Sequence, residues 1–190
     1  RMEKRAKSGL LRGREFFMKD CYSFHRDEAD FELYYEIQKK AYLEIYKRCG
    51  IGHKTYVTFA SGGMFSKYSH EFQTVTSAGE DTIYICDQCF MAINKELRND
   101  GSTGLTTGAL KCPACGAQTF KEERAIEVGN IFPLKTKFSE AFNLKYKDEK
   151  GESQPIIMGC YCIGLGRLMG AIVEALSDDK GIVWPEGVAP

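Results

Sequence analysis

The sequence lacks several features that define broad classes of protein. No apolar run is long enough to cross a membrane, which argues against a transmembrane helix. The charges balance, with 26 basic and 26 acidic residues, so no overall field attracts nucleic acid and any RNA contact must be local. No signal peptide accompanies the eight cysteines, which argues against a secreted disulfide framework and predicts a reducing, cytoplasmic setting.

The chain has enough apolar residues for one main core. Its 190 residues are 43% hydrophobic, which predicts a single soluble domain. It starts at Arg1 instead of methionine and stops on turn residues at Pro190, and we interpret it as a fragment of a longer protein. Beyond two Cys-x-x-Cys pairs, the sequence has no internal repeat.

Two helices are predicted from hydrophobic periodicity. Asp27 can cap the first helix and Gly50 can end it. The apolar positions of this helix are Phe31, Tyr34, Tyr35, Tyr42, Ile45 and Cys49. The second helix is predicted from about Leu165 to Leu176. Its predicted buried face consists of Leu168, Met169, Ile172, Val173 and Leu176.

Strand-like patterns occupy the segments around these helices. Between Tyr56 and Ile85, β-branched and aromatic runs are broken at two glycine-containing turns, and further runs cover 126–134 and 156–161. Near the start, Ser8-Gly9 divides two possible strands rich in arginine and lysine, which predicts a hairpin with a charged tip. Strands mixed with a few long helices, without regular alternation, indicate an α+β domain.

The two cysteine pairs, Cys86 with Cys89 and Cys112 with Cys115, lie roughly 22 residues apart. Each pair can direct two sulfurs at one point, and zinc accepts four thiolates in a tetrahedral site. The alternative is that these thiols form disulfides or stay free, which a reducing setting disfavours. Because four cysteines leave no coordination position for a substrate, the predicted zinc is structural.

The basic segment at the start contains groups suited to a nucleotide. The guanidinium groups of Arg1 and Arg12 can bind phosphate, the Glu3 carboxylate can accept from an amino group, and the Phe16 ring can stack on a base. A solvated basic hairpin with one core phenylalanine is the alternative. Small residues before Arg167, at the predicted start of a helix, would let a ligand approach the backbone closely.

These residues form recognisable motifs. Arg1-x-Glu3, the basic loop and Arg12-x-x-x-Phe16 resemble motif 2 of class II aminoacyl-tRNA synthetases, and the run 158–167 resembles motif 3. The blocks RGREFFMKDCYSFH, SHEFQ, AIEVGNIF, MGCY and GIVWP are similar to bacterial-type prolyl-tRNA synthetases and occur in the same order. The resemblance implies an antiparallel sheet flanked by helices. In it, residues 1–85 and 118–190 would form part of the catalytic core, and 86–117 would form a zinc-knuckle insertion.

The resemblance implies that ATP, with magnesium, activates L-proline as prolyl-adenylate, and that the prolyl group then passes to tRNA(Pro). Arg1 would hold the α-phosphate, whereas Arg12 and Arg167 would hold the γ-phosphate and the leaving pyrophosphate. These three arginines are the expected catalytic residues. Phe16 would stack on adenine, and Glu3 would contact the adenine end. The residues assigned to ATP are Arg1, Glu3, Arg12, Phe16, Glu127, Gly129, Gly164 and Arg167.

The resemblance also implies a proline pocket and macromolecular partners. The residues assigned to proline are Met18, Asp20, Tyr22, His70, Glu71, Phe132 and Cys160. A lone histidine beside an aromatic residue is commonly structural, which is the alternative for His70. The loop 4–11 would face the tRNA acceptor end, and the full-length protein is expected to be a homodimer.

The sequence departs from the family at three places. Cys162 stands where the family usually has glycine, and its side chain could crowd the nucleotide or alter the turn. Asn130 replaces a frequent histidine. Between Phe72 and Ala125 the family commonly carries a domain that hydrolyses mischarged alanyl-tRNA, whereas this chain has the cysteine segment. We therefore expect no editing in cis.

Two alternatives to a prolyl-tRNA synthetase core stay open at this point. One is a non-catalytic synthetase-like protein that binds nucleotide, RNA or a partner. This alternative is supported by Cys162 and by the lack of motif 1 and of an anticodon-binding domain. The same missing parts lead us to expect that the isolated fragment is not fully active. The other is a zinc-ribbon adaptor whose cysteines carry the function, against which the extent of the motif match argues.

Overall fold

The structure, a computed structural model, describes residues 3–99 and 110–189. Helix α1 (Glu28–Arg48) forms where it was predicted. Asp27 caps it by accepting a hydrogen bond from the Asp30 backbone amide at 2.8 Å. Gly50 follows with a φ of 75°, a left-handed conformation that glycine adopts at little cost. No helix in the described residues is both long and apolar enough to span a membrane.

Two shorter helices lie in the second half of the chain. They are α2 (Lys137–Ala141) and α3 (Leu165–Leu176), and α3 has the predicted bounds. The prediction that Met169 is buried was wrong, because its side chain is 44% exposed. Two of the predicted residues, Leu168 and Ile172, are buried, and Ala171 and Ala175 complete the buried stripe, whereas Met169 lies to one side of it.

Nine strands form in the described residues: β1 (Met18–His25), β2 (Thr55–Ser61), β3 (Tyr68–Val75), β4 (Asp81–Cys86), β5 (Ala92–Asn94), β6 (Phe120–Lys135), β7 (Lys145–Lys147), β8 (Ser153–Pro155) and β9 (Ile157–Gly164). Seven of them make one sheet in the order β1-β9-β6-β3-β2-β5-β4, and β7 pairs with β8. The pairs in the large sheet are antiparallel except for β2 with β5. The predicted class of an antiparallel α+β sheet with few helices is therefore confirmed.

The long strand β6 joins two parts of this sheet. Its second half lies between β3 and β9, and its first half also pairs with β4. The strands β2, β3, β6, β4 and β5 consequently close into a ring. A small apolar cluster that includes Ile83, Ile85, Ala92 and Ala125 packs together within this part of the sheet.

The main core lies between the sheet and α1. The rings of Tyr42 and Tyr46 pack on Phe72 of β3 with centroid separations of 5.0 and 5.4 Å. Gly129 of β6 faces this cluster, and a Cβ atom on it would lie 2.2 Å from the Tyr46 hydroxyl oxygen. Glycine is therefore needed at this position for the helix to approach the sheet.

The predicted strands of the basic hairpin do not form in the described residues. The chain does double back at Ser8-Gly9, where both residues have a positive φ. Lys7 and Arg12 then pair as an isolated antiparallel bridge, and the Glu3 amide donates to the Arg14 carbonyl at 2.9 Å. The segment is rich in charged side chains and lacks alternating apolar residues, so no sheet face is available to extend the pairing.

Candidate functional site

One face of the sheet carries polar and sulfur-containing side chains in register. On β1, β9 and β6, the residues Asp20, Cys162 and Asn130 lie side by side. Tyr22 and Cys160 form the next row, together with Phe132. Because alternate residues of a strand share a face, both rows point to the same side. They form the floor of a cavity of about 1360 Å³.

The residues predicted for ATP converge on this cavity. Those that line it are Glu3, Arg12, Phe16, Glu127, Gly129, Gly164 and Arg167. Arg1, the remaining predicted catalytic residue, lies outside the described residues. The irregular segment before β1 forms one wall of the cavity, and the junction of β9 with α3 contributes Gly164 and Arg167.

The residues predicted for proline divide into two groups. Met18, Asp20, Tyr22, Phe132 and Cys160 line the cavity. His70 and Glu71 are not among its lining residues. His70 lies on the opposite face of the sheet, where its Nδ1 is 3.0 Å from the Tyr35 hydroxyl on α1. Burial lowers the pKa of His70 to about 4, so the ring is neutral at physiological pH.

Arg167 is held at the cavity by three acceptors. Its Nε donates to the Leu11 carbonyl at 2.8 Å, and its Nη1 contacts the Glu127 carboxylate at 2.9 Å and the Glu127 carbonyl at 3.3 Å. Leu11 belongs to the basic segment, Glu127 to β6 and Arg167 to α3. This guanidinium therefore ties three separate parts of the chain together and presents a fixed positive charge to the cavity.

Arg12 is paired with a carboxylate that the sequence did not reveal. Its Nε and Nη2 donate to the Glu80 carboxylate at 3.1 and 2.9 Å, and Glu3 lies 3.6 Å from its Nη1. Glu80 follows the turn between β3 and β4 and also forms an ion pair with Lys7. No motif identifies Glu80, because its contact with Arg12 spans 68 residues of sequence.

A buried polar network links the ring of strands to Arg167. Glu71 is 8% exposed and accepts hydrogen bonds from Gln73 at 2.9 Å and from Asn94 at 3.0 Å. The Asn130 amide lies 3.5 Å from Glu71 and 3.2 Å from Glu127, the carboxylate that holds Arg167. Burial, with a smaller contribution from the Glu127 charge, raises the pKa of Glu71 to about 8.

The raised pKa of Glu71 predicts a specific pH dependence of stability. In the unfolded chain this carboxyl has a pKa near 4.5, so the folded protein binds the extra proton between about pH 4.5 and about pH 8. The contribution of Glu71 to the free energy of unfolding is therefore greatest below about pH 4.5. It falls as the pH rises through that window and is constant above about pH 8. Glu71→Gln, which is neutral at every pH, should remove this slope of up to about 1.4 kcal/mol per pH unit.

The measurement is the free energy of unfolding of the full-length protein as a function of pH. Relative to the original protein, Glu71→Gln is expected to gain stability progressively between about pH 5 and pH 8. Glu44→Gln, which changes an exposed glutamate of α1, is the matched control and should leave the pH profile unchanged. Parallel pH profiles of Glu71→Gln and the original protein would contradict the assignment.

The four predicted metal ligands converge at the end of β4. The sulfur atoms of Cys86, Cys89, Cys112 and Cys115 all lie within 4.8 Å of one another. The first knuckle (86–89) and the second knuckle (112–115) also share one backbone pattern. In each, the carbonyl of the first cysteine accepts a hydrogen bond from the backbone amide of the residue four positions later. These bonds run from Phe90 to Cys86 at 3.0 Å and from Gly116 to Cys112 at 2.8 Å.

The donor set fits a tetrahedral thiolate site. Four sulfurs placed 2.3 Å from a central zinc ion would be separated by about 3.8 Å. The pairs Cys86–Cys115 and Cys89–Cys112 are 3.6 and 3.5 Å apart. The Cys89 amide, with that of Gln88, lowers the pKa of the Cys86 thiol to about 7, which favours the thiolate that a metal requires.

The knuckles are joined to the main sheet through short strands. Strand β4 runs directly into Cys86, which pairs with Phe120 at the start of β6. Strand β5, which lies inside the predicted 86–117 insertion, pairs with β2 as well as with β4. The first knuckle therefore lies between two strands of the seven-stranded sheet.

Comparison with known proteins identifies the family. Residues 1–176 match the model of the tRNA synthetase class II core domain (G, H, P, S and T). The chain belongs to this class II synthetase family. The predicted similarity to prolyl-tRNA synthetases is also confirmed by relatives that match this class II chain over its whole length.

Two curated relatives illustrate the extent of the match. The probable mitochondrial proline–tRNA ligase of Schizosaccharomyces pombe is 38% identical over the whole of this class II chain, which spans 43% of that protein. The proline–tRNA ligase of Sulfurimonas denitrificans is 37% identical, and the chain spans 46% of its length. The chain therefore spans less than half the length of these two relatives.

Solved structures show the same fold. The prolyl-tRNA synthetase of Cryptosporidium parvum in complex with L-proline and AMP matches 99% of the class II chain with a TM-score of 0.67. The chain corresponds to 30% of that protein, and the sequence identity is 17%. A second structure of that enzyme, with halofuginone and AMPPNP, has the same TM-score of 0.67.

Proposed function

We propose that the protein containing this chain activates L-proline with ATP and transfers the prolyl group to tRNA(Pro). The observation that carries the proposal is that most of the predicted nucleotide and proline residues line one cavity, although they are spread from Glu3 to Arg167 along the chain. The names of the curated relatives support the choice of proline and of tRNA charging. We further propose that the full-length protein acts as a homodimer.

The cavity suits a reaction driven by orientation and charge. Arg12 and Arg167 hold fixed positive charges at one side, where they would bind the phosphates and stabilise the negative charge that develops as pyrophosphate leaves. Phe16 offers a ring on which adenine can stack. Magnesium bound with ATP would supply additional positive charge at the phosphates. The floor formed by Asp20, Tyr22 and Phe132 would hold the amino acid beside the nucleotide.

The four-cysteine cluster is proposed to hold one structural zinc ion. Cys86, Cys89, Cys112 and Cys115 would occupy all four coordination positions, which leaves none for a substrate. We assign 86–117 to a zinc-knuckle insertion and the remainder to the catalytic core. In this arrangement the metal supports the ends of β4 and β5 and takes no part in the reaction.

The test is proline-dependent exchange of pyrophosphate into ATP by the full-length protein. Exchange with proline, and much less with amino acids other than proline and alanine, supports the enzyme. If the intact dimer binds ATP but shows no exchange with any amino acid, the protein is a non-catalytic nucleotide-binding relative. This second candidate is favoured by Cys162, which puts a side chain into the cavity floor at a position where the family resemblance implies glycine.

Discrimination against alanine is expected to be weak. A pocket that fits proline cannot strongly exclude a smaller amino acid, since a missing methylene changes binding by only about 1 to 3 kcal/mol. We expect the purified protein to form alanyl-tRNA(Pro) and to leave it intact. The measurement is the hydrolysis of preformed alanyl-tRNA(Pro) by the full-length protein alone, and rapid hydrolysis would contradict the prediction.

A further inference from the structure

Two cysteines in the floor of the cavity are in contact with each other. Cys160 and Cys162 are alternate residues of β9, so both side chains project from the same face of the sheet. Their sulfur atoms are 3.2 Å apart, and the Cys162 thiol also lies 3.1 Å from an Asp20 carboxylate oxygen. Both cysteines are free and line the cavity. Neither belongs to the four-cysteine cluster.

The environment makes the two thiols chemically unequal. The hydrogen bond between the sulfurs lowers the pKa of Cys160, and a hydrogen bond with Tyr22 lowers it further, although burial opposes both effects. The same bond raises the pKa of Cys162, with burial and Asp20 acting in the same direction. Cys160 is therefore the better nucleophile, and Cys162 is a protonated thiol in contact with it.

We propose that Cys160 and Cys162 form a redox-active dithiol, which hydrogen peroxide converts into a disulfide in the floor of the cavity. The Cys160 thiolate attacks one peroxide oxygen, the O–O bond breaks, and the released hydroxide takes up a proton to become water. The resulting sulfenic acid is attacked by the Cys162 sulfur, which loses its proton. The S–S bond forms as the S–O bond breaks, and a second water leaves. The two thiols together supply the two electrons that reduce the peroxide.

The position within a strand predicts that this disulfide is easily reduced. Alternate Cα atoms of a strand are about 6.6 Å apart, which is near the upper end of the range of about 4.4 to 6.8 Å found for disulfides. The usual separation is about 5.5 to 6 Å. A relaxed disulfide would therefore draw the two Cα atoms together and bend β9, which is hydrogen-bonded to β1 on one side and to β6 on the other. Strained disulfides are readily reduced, so the modification should be reversible.

Peptide mapping of the full-length protein tests the proposal. The tryptic peptide 151–167 contains Cys160 and Cys162 and no other cysteine. After treatment with hydrogen peroxide, denaturation and alkylation, we expect this peptide without alkyl groups and lighter by two hydrogen atoms. Treatment with dithiothreitol before alkylation should restore the doubly alkylated peptide. This readout does not depend on enzymatic activity, so it stands whether or not the proposed function is correct.

Two variants separate the dithiol from general thiol oxidation. With Cys162→Ser, the unalkylated peptide should disappear and Cys160 should accumulate as sulfenic or sulfinic acid. Cys21→Ser is the matched control, because Cys21 is a β1 residue in register with Tyr161 and its side chain points away from the cavity floor; the disulfide should form as in the original protein. The proposal is overturned if peptide 151–167 of the original protein stays doubly alkylated, or if Cys160 is crosslinked to a different peptide.

Discussion

Replacing Arg167 by alanine is expected to reduce proline-dependent exchange of pyrophosphate into ATP by about a thousandfold. The guanidinium is held by the Leu11 carbonyl at 2.8 Å and by the Glu127 carboxylate at 2.9 Å, so its position at the cavity is fixed by the protein itself. An alanine would remove this charge and leave Glu127 facing the nucleotide without its cation. The Glu127 carboxylate and the phosphates of the nucleotide would then repel each other in the cavity.

The size of this loss distinguishes catalysis from simple packing. Arg167→Lys keeps the charge but cannot reproduce the planar set of donors, so we expect it to recover only a small part of the lost rate. Arg48→Ala, at an exposed position in the last turn of α1, is the matched control and should exchange at the original rate. Thermal unfolding of each variant checks that the fold is retained. Exchange by folded Arg167→Ala within threefold of the original protein would refute the assigned role.

Local signals predicted α1 and α3 well, whereas the short helix α2 was not predicted. Asp27 and Gly50 define the ends of α1 through a side-chain cap and a left-handed residue, interactions that span only a few positions. For α3 the predicted ends are correct. The error at Met169 arose because the buried stripe is rotated around the helix by about one residue from its predicted position. Helix boundaries depend on neighbours in sequence, whereas the direction of a helix face depends on what packs against it.

The candidate site was only partly predictable because much of it depends on distant pairings. The motifs indicated Arg12 and Arg167, but Glu80 contacts Arg12 across 68 residues. The contact between Cys160 and Cys162 could have been inferred from their spacing once a strand was predicted there, since alternate strand residues share a face. The raised pKa of Glu71 arises from its burial inside the ring of strands, and sequence patterns do not encode that enclosure.

Loss of one cysteine ligand is the second prediction with a large expected effect. Cys115→Ser should abolish stoichiometric zinc binding, because a neutral hydroxyl is a poor replacement for a thiolate in a four-cysteine site. The unfolding free energy should fall by about 4 kcal/mol or more, as is typical when a structural metal is lost. Cys115 is exposed, so this change removes a ligand without creating a cavity in the core.

The measurement combines zinc quantification with thermal unfolding of the reduced full-length protein. The original protein should contain one zinc ion per chain, and a chelator should lower its unfolding midpoint to that of Cys115→Ser. Cys49→Ser is the matched control, since Cys49 is a partly buried free thiol at the end of α1 that packs against the main core. It should retain zinc, and the chelator should lower its unfolding midpoint by no more than it lowers that of the original protein.

Folded, reduced protein with less than one zinc ion per chain, or a Cys115→Ser variant that retains the metal, would refute the four-ligand site. Because the first knuckle lies between β4 and β5, loss of the metal should also weaken hydrogen-exchange protection in these two strands before it affects α1.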